Sequence, residues 1–216
     1  DLMEAVMDTN ITIKNYLESL SSNSPTPGGG NVSAFCGALS SSLGTMVCNL
    51  TIGKKKYANV ESDMINLAAN LNTFIDDFSL LAKEDNEAFD KVMAAFKLPK
   101  DSEADKLERN KQIQEATMGA SIVPASVIKK CYELIPFLIE IADRGNTNSI
   151  SDVGVALLLA DTASKGAYLN VVINCSSLDN QTIAHEIIKQ NELFVNEISN
   201  QVELKYEALL SSLKNN

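Results

Sequence analysis

Proline and histidine are scarce in this sequence, and each shortage excludes a class of structure or chemistry. The chain has five prolines in 216 residues, so long segments lack the residue that most often breaks a helix. The only histidine, His185, shares the polar face of a predicted helix with Lys189 and Glu192. This placement argues against Ser/His/Asp and Cys/His nucleophilic catalysis. Acid–base chemistry by carboxylates and lysines remains, because the sequence has no Walker loop, dinucleotide fingerprint or paired-histidine metal motif.

Positive charge is also in deficit. Lysines and arginines number 18 against 28 acidic residues, which gives a formal net charge of -10. We therefore expect neither a nucleic acid nor an anionic membrane as a partner, since both attract proteins through a positive field. The cysteines are few, widely spaced and set among apolar residues, without zinc-site spacing: Cys36, Cys48, Cys131 and Cys175. This pattern predicts reduced thiols, no metal site and a cytoplasmic location.

A long segment from Ser24 to Gly53 carries no charged side chain at all. Its many serine, threonine and asparagine residues make it too polar for a membrane span. We predict instead a central helix after Gly30 whose small residues allow close packing, including packing against a partner subunit. The segment after Asp152 is also apolar or small on every face, so the sequence predicts that both helices are buried.

Apolar residues recur at helical spacing along almost the whole chain, and clear turn clusters are few. The sequence predicts an all-α helical bundle forming a single domain over residues 1–216. The predicted helices cover residues 2–21, 30–52, 57–97, 103–121, 124–143, 150–172 and 179–213.

Glycines and lysines flank the uncharged segment and suggest an anion site. Gly28, Gly29 and Gly30 would open a helix with unpaired N–H groups at its positive end, although an ordinary flexible helix entry has the same sequence. Lys54, Lys55 and Lys56 follow Gly53, which fits a helix C-cap. They form either a solvated surface or a cluster from which one or two side chains reach a ligand.

Two aspartates interrupt apolar patterns. Asp85 occupies a core position of the third long helix, where a carboxylate needs a partner or a proton-transfer role unless the helix opens to solvent there. Asp152 is the only ionisable residue between Arg144 and Asp161. Its spacing from Ser149 also fits a capping box, so a helix cap and a catalytic carboxylate are both consistent with the pattern.

Several of these segments together resemble the formiminotransferase-cyclodeaminase family. They are "PTPGGG", "NLTIGKKKY", "DNEAFDKVMAAFKLPK", the "GN" at Gly145, the "SD" at Ser151 and "GAYLNVVIN" from Gly166. The similarity covers nearly the whole chain. It is a similarity to the cyclodeaminase domain of this family and to the stand-alone methenyltetrahydrofolate cyclohydrolases. Asn31 stands where we expect a smaller residue such as serine in many relatives.

The resemblance implies a dimeric all-α fold of the cyclodeaminase type that acts on a tetrahydrofolate derivative, including polyglutamylated forms. It implies no metal and no cofactor beyond the folate substrate. The favoured reaction closes 5-formimino-tetrahydrofolate to 5,10-methenyl-tetrahydrofolate with loss of ammonia. The alternatives are hydrolysis of methenyl-tetrahydrofolate to 10-formyl-tetrahydrofolate and a helical folate-binding or dimerisation module without catalysis.

The matching motifs contain all the candidate site residues. We expect catalytic roles for Asp85, Asp152 and Lys54. We expect substrate-binding roles for the following residues: Gly28, Gly29, Gly30, Lys55, Lys56, Asn146 and Asn170.

Overall fold

The computed structural model describes residues 11–215, and this part of the chain is helical and contains no strand. The all-α prediction is confirmed over this range. The helices are α1 (Ile13–Leu20), α2 (Gly29–Thr51), α3 (Glu61–Phe96), α4 (Glu103–Arg144), α5 (Ile150–Cys175) and α6 (Gln181–Lys214). Short 3-10 turns at Lys55–Tyr57 and Thr147–Ser149 precede α3 and α5.

Helix α2 lies between α3 and α5, while α4 packs behind them and contacts α6. Glycines allow the close approach of α2 to its neighbours. A Cβ atom at Gly37 would lie 2.5 Å from ring atoms of Phe78, and one at Gly44 would lie 2.9 Å from a methyl group of Leu138. The small residues of α2 therefore act as predicted, because they let the large side chains of α3 and α4 reach its backbone.

The hydroxyl groups of α2 are compatible with burial because the backbone satisfies them. Ser41 and Thr45 each donate to the carbonyl four residues earlier, at 3.0 Å. Ser40 donates across to the Ala156 carbonyl of α5 at 2.7 Å. A helix rich in serine and threonine can thus lie inside the bundle without unpaired polar groups on these side chains.

Helix α4 is one continuous helix where the sequence predicted two. The predicted helices over 103–121 and 124–143 are wrong as separate elements, since α4 runs unbroken from Glu103 to Arg144 through Pro124 and Pro136. Pro124 has no N–H, so the Ala120 carbonyl lacks its usual donor four residues on. The side-chain amide of Asn174 on α5 donates to that carbonyl at 2.7 Å. A neighbouring helix therefore replaces the hydrogen bond that the proline removes.

Other boundaries shift by a few residues. Gly53 has a φ of 76° directly after the end of α2, which confirms its predicted role at the helix C-terminus. Helix α3 begins at Glu61 instead of residue 57, because the 3-10 turn intervenes. The predicted helix over 2–21 and the predicted domain over 1–216 extend outside the described residues, within which α1 begins at Ile13.

One face of the α2–α5 layer stays exposed within the chain, so the prediction that both helices are fully buried is wrong for a single copy. Leu39 is 41% exposed and Leu50 40%, both on α2. Val155 and Leu158 are exposed on the adjacent part of α5. Among the helices of residues 11–215, none is both long and apolar enough to cross a membrane.

Candidate functional site

The glycine loop opens α2 directly against Asp85 of α3. Gly28 is the N-cap residue of α2 and offers no side chain to bond the free N–H groups of the first turn. A Cβ atom at Gly30 would overlap the Asp85 carboxyl group, with Oδ2 at 2.7 Å and the other carboxyl atoms nearer still. A larger residue at this position would displace the Asp85 carboxyl group. The Asp85 carboxylate therefore lies at the positive end of the α2 dipole.

Burial raises the pKa of the Asp85 carboxyl above its ordinary value of 3.8, and the backbone amide of Asn31 offsets part of the rise. Desolvation penalises the charged form, whereas a backbone N–H stabilises it. Asp85 thus keeps its proton to a higher pH than a surface aspartate does. A carboxyl group with a raised pKa is a candidate proton donor.

Asn170 completes this cluster from α5. Its side-chain nitrogen lies 3.7 Å from the position that a Cβ atom of Gly29 would occupy, and it donates to the Gly166 carbonyl at 2.9 Å. We call the cluster of Gly28–Gly30, Asp85 and Asn170 the glycine end of α2. The structure brings these predicted site residues together.

The three lysines lie at the other end of α2, beside the loop that leads into α5. All three are exposed. The Lys56 ammonium donates to the Thr147 hydroxyl at 3.3 Å. We call the cluster of Lys54–Lys56, Tyr57, Asn146–Thr147 and Asp152 the lysine end of α2.

Asn146 is 3% exposed and its side chain is engaged within the fold. The backbone N–H of Asn146 donates to the Thr51 hydroxyl at 2.9 Å. Its side-chain nitrogen donates to the Leu50 carbonyl, also at 2.9 Å. Asn146 therefore joins the end of α2 to the loop before α5. Its predicted contact with substrate stays a prediction.

Asp152 lies partly buried in the first turn of α5, after the Thr147–Ser149 turn. The capping-box interpretation is not confirmed, because the N-cap residue Ser149 makes no side-chain hydrogen bond to the first turn of α5. The carboxylate stands near the positive end of the α5 dipole. It remains a candidate for chemistry at the lysine end.

Tyr57 is a member of this cluster that sequence reasoning missed. Its phenol oxygen lies 3.0 Å from the Thr147 hydroxyl and accepts the Thr147 N–H at 3.0 Å. The Lys56 ammonium lies 5.2 Å from the ring centroid. Hydrogen bonds from the Thr147 side chain and backbone, with a smaller effect of Lys56, lower the pKa of Tyr57 to about 8. Its position directly after the lysines was the available signal.

The two ends are far apart within one chain. Helix α2 has 23 residues, and at 1.5 Å per residue its ends are about 33 Å apart. Helix α5 runs antiparallel to it, since Asn170 lies by Gly29 whereas Asn146 bonds Thr51. The predicted site residues therefore form two clusters, and a single chain does not bring them together.

No group of three or more histidine, cysteine, aspartate or glutamate side chains is placed to hold a metal ion within residues 11–215. His185 is exposed on α6, and its ring nitrogen contacts the Gln181 carbonyl of the same helix. Taken together, the two clusters contain backbone N–H groups, carboxyl groups, amides, a phenol and ammonium groups. Such a set can bind carboxylates and transfer protons.

Comparison with known proteins decides the family. The sequence profile described as formiminotransferase-cyclodeaminase matches residues 12–192. The chain belongs to this family. The resemblance read from the motifs is thus confirmed, and the family's named members in these comparisons are folate one-carbon enzymes.

Three relatives of the family show how the similarity is distributed. A methenyltetrahydrofolate cyclohydrolase of Methylorubrum extorquens is 40% identical over 207 residues, which are 96% of this chain and 100% of the relative. The formimidoyltransferase-cyclodeaminase of Mus musculus is 30% identical over 175 residues, and the match spans 32% of that longer protein. The crystal structure of formiminotetrahydrofolate cyclodeaminase from Thermotoga maritima matches with a TM-score of 0.79 and 30% identity, over 93% of this chain and 98% of that one.

Proposed function

We propose that this chain is a methenyltetrahydrofolate cyclohydrolase. The observation that carries the proposal is the full-length match, at 40% identity, to a relative of that name. The cyclodeaminase reaction, which the sequence alone favoured, is the second candidate. The structural match to the Thermotoga maritima cyclodeaminase supports it. Both reactions pass through a tetrahedral carbon between N5 and N10 of tetrahydrofolate.

The proposed hydrolysis needs proton transfer at two places. Water adds to the methenyl carbon, the bond from that carbon to N5 breaks, and N5 takes up one proton. The other water proton is released, so that the cationic substrate becomes neutral at this group. In the cyclodeaminase reaction, N10 attacks the formimino carbon and loses its proton, while the substrate takes up one further proton and ammonia leaves.

Asp85 has the properties that this chemistry requires. Burial raises the pKa of its carboxyl group, which favours the protonated form that a proton donor needs. Asp152 is our candidate for handling the water or the leaving ammonia. Lys54 is our candidate for an ammonium group beside the reacting carbon. Lys55 and Lys56 are candidates for binding the glutamyl carboxylates of folate.

A second copy of the chain would bring these groups together, and we propose a homodimer on this ground. The exposed face of α2 contains no charged residue, and it runs from the glycine end to the lysine end. A two-fold axis across the middle of α2 places the glycine end of each copy beside the lysine end of the other. Each shared site would then hold the Asp85 carboxyl group of one copy and the ammonium groups of the other.

An assay with both substrates tests the function. Purified protein should remove the methenyl absorbance of 5,10-methenyl-tetrahydrofolate faster than it releases ammonia from 5-formimino-tetrahydrofolate. Faster ammonia release would replace the first candidate with the second. No turnover of either substrate would contradict catalysis and support a folate-binding module.

A further inference from the structure

The Tyr16 side chain joins helix α1 to the first turns of α2. The Tyr16 hydroxyl donates to the side-chain oxygen of Asn31 at 2.8 Å. Its ring packs against Phe35 of α2, with the ring centroids 5.3 Å apart. The apolar residues Ile13 and Leu17 of the same helix are exposed. Tyr16 is thus the main attachment of α1 to the bundle at this end.

Asn31 connects three helices from a buried position. It is 2% exposed, and its side-chain nitrogen donates to the Ala82 carbonyl of α3 at 2.8 Å. Its side-chain oxygen accepts the Tyr16 hydroxyl, so both ends of the amide are used. Its backbone amide acts on the Asp85 carboxylate. Ala82 precedes Asp85 by about one helical turn, so the Asn31 side chain holds α3 close to Asp85.

We infer that Tyr16 and Asn31 form a relay that positions Asp85 against the first turn of α2. The Asn31 side chain fixes α3 one turn before Asp85, and the Tyr16 hydroxyl fixes the Asn31 amide in the orientation that allows this bond. Neither residue is proposed to touch the reacting atoms. Both affect catalysis by setting the position of the Asp85 carboxyl group. The catalytic part of the inference rests on the proposed function.

The groups that surround Asp85 allow a clear readout. Burial raises the pKa of both Tyr16 and Cys36, so both are neutral near pH 7. The charged side chains on the helices that meet at this end are largely paired with one another. These pairs are Lys14–Glu18 on α1, Lys83–Glu87 on α3 and Lys165–Asp161 on α5, and Glu84 lies next to Asp85 on α3. A substitution of Asn31 should therefore alter the pKa of Asp85 mainly through the backbone amide of residue 31.

The test compares Asn31→Ser, Tyr16→Phe and the double variant. Serine is too short to reach the Ala82 carbonyl, so we expect kcat to fall by up to about a hundredfold with KM nearly unchanged. Tyr16→Phe removes one hydrogen bond and should lower kcat by about fivefold. In the Asn31→Ser background Tyr16→Phe should have no further effect, because the phenol acts through Asn31.

Matched controls separate positioning from general damage. Asn191→Ser removes a buried asparagine whose side chain bonds only the Ile187 carbonyl of its own helix, and Tyr132→Phe alters a tyrosine that packs on Phe194. Neither should change kcat by more than about twofold, because neither residue takes part in the hydrogen bonds of Tyr16 and Asn31. Thermal unfolding of every variant shows whether each one folds.

The Asp85 carboxyl titration, followed by carbon-13 NMR, gives a readout that needs no turnover. We expect the pKa of Asp85 to rise in Asn31→Ser, because the backbone amide that opposes burial moves away. An unchanged titration, or additive effects of Tyr16→Phe and Asn31→Ser, would overturn the inference. If the wild-type protein turned over neither folate substrate, the proposed function would fail, and the titration alone would decide the relay. If Asn31→Ser did not fold, the Tyr16→Phe titration would decide it by the same criterion.

Discussion

At the scale of single residues, Asp85 stands out because two opposite effects act on the pKa of its carboxyl group. Partial burial favours the protonated form, whereas the amide of Asn31 at the start of α2 favours the ionised form. Burial is the larger effect. Asp85 is therefore set apart from the surface aspartates of the same helix.

Replacing Asp85 with asparagine tests its role. The change keeps the size of the side chain but removes the titrating group, so turnover should fall by about a hundred- to ten-thousand-fold. The limb of the pH–rate profile that reports Asp85 should disappear. Steady-state kinetics across pH measures both effects, and Asp90→Asn, an exposed site on the same helix, should leave both unchanged.

The direction in which Asp85→Asn changes stability follows from the raised pKa. The folded-state pKa is raised, so the wild type loses stability as pH rises from the unfolded value of 3.8 through the folded value. At pH 7 the variant avoids this loss and should unfold at a temperature no lower than the wild type. Near-full turnover with an unchanged pH profile would show that Asp85 is structural.

The sequence alone predicted Asp85 as a site residue, but it did not predict the residues that hold Asp85 in position. The spacing of apolar residues places Asp85 on the core side of α3, and that pattern is local to one helix. Tyr16, Asn31 and Tyr57 were missed because their roles depend on contacts with distant segments. Tyr57, for example, bonds Thr147 across 90 positions of the chain. Periodicity within a helix carries no information about such contacts.

At the scale of helices, α4 shows why a proline need not end a helix. Asn174 of α5 supplies a donor to the Ala120 carbonyl in place of the N–H that Pro124 lacks. The donor, Asn174, and the acceptor, Ala120, lie 54 positions apart in sequence. The helix type could therefore be predicted from α4 alone, whereas the continuity of the helix could not.

A double-mutant cycle tests the repair. Asn174→Ala leaves the Ala120 carbonyl without its side-chain donor and should cost about 1–3 kcal/mol of unfolding free energy. In a Pro124→Ala background the backbone N–H returns, so Asn174→Ala should cost less than about 0.5 kcal/mol. Urea unfolding measures all four proteins.

Asn70→Ala is the matched control for this cycle. Asn70 also donates to a helix carbonyl, that of Asn66, but it is exposed and repairs no proline. Its replacement should change the unfolding free energy by about 0.5 kcal/mol or less in either background. Equal costs of Asn174→Ala with and without Pro124 would contradict the repair.

At the scale of the whole molecule, the uncharged helix connects two clusters that one chain keeps apart. Acidic residues outnumber basic ones and give a net charge of -10, yet three ammonium groups stand together at the lysine end. The exposed apolar residues of α2 and α5 lie between this cluster and Asp85. Burial of that face by a second copy would remove apolar surface from water and complete the site.

Activity of a mixed dimer tests this claim most directly. Asp85→Asn alters the glycine end and Asp152→Asn the lysine end, so each homodimer should be nearly inactive. In a heterodimer purified through two different tags, one site would carry both changes and the other neither. We predict about half of the wild-type activity per dimer. A heterodimer as inactive as the two homodimers, or a protein that stays monomeric at micromolar concentration, would contradict the shared site.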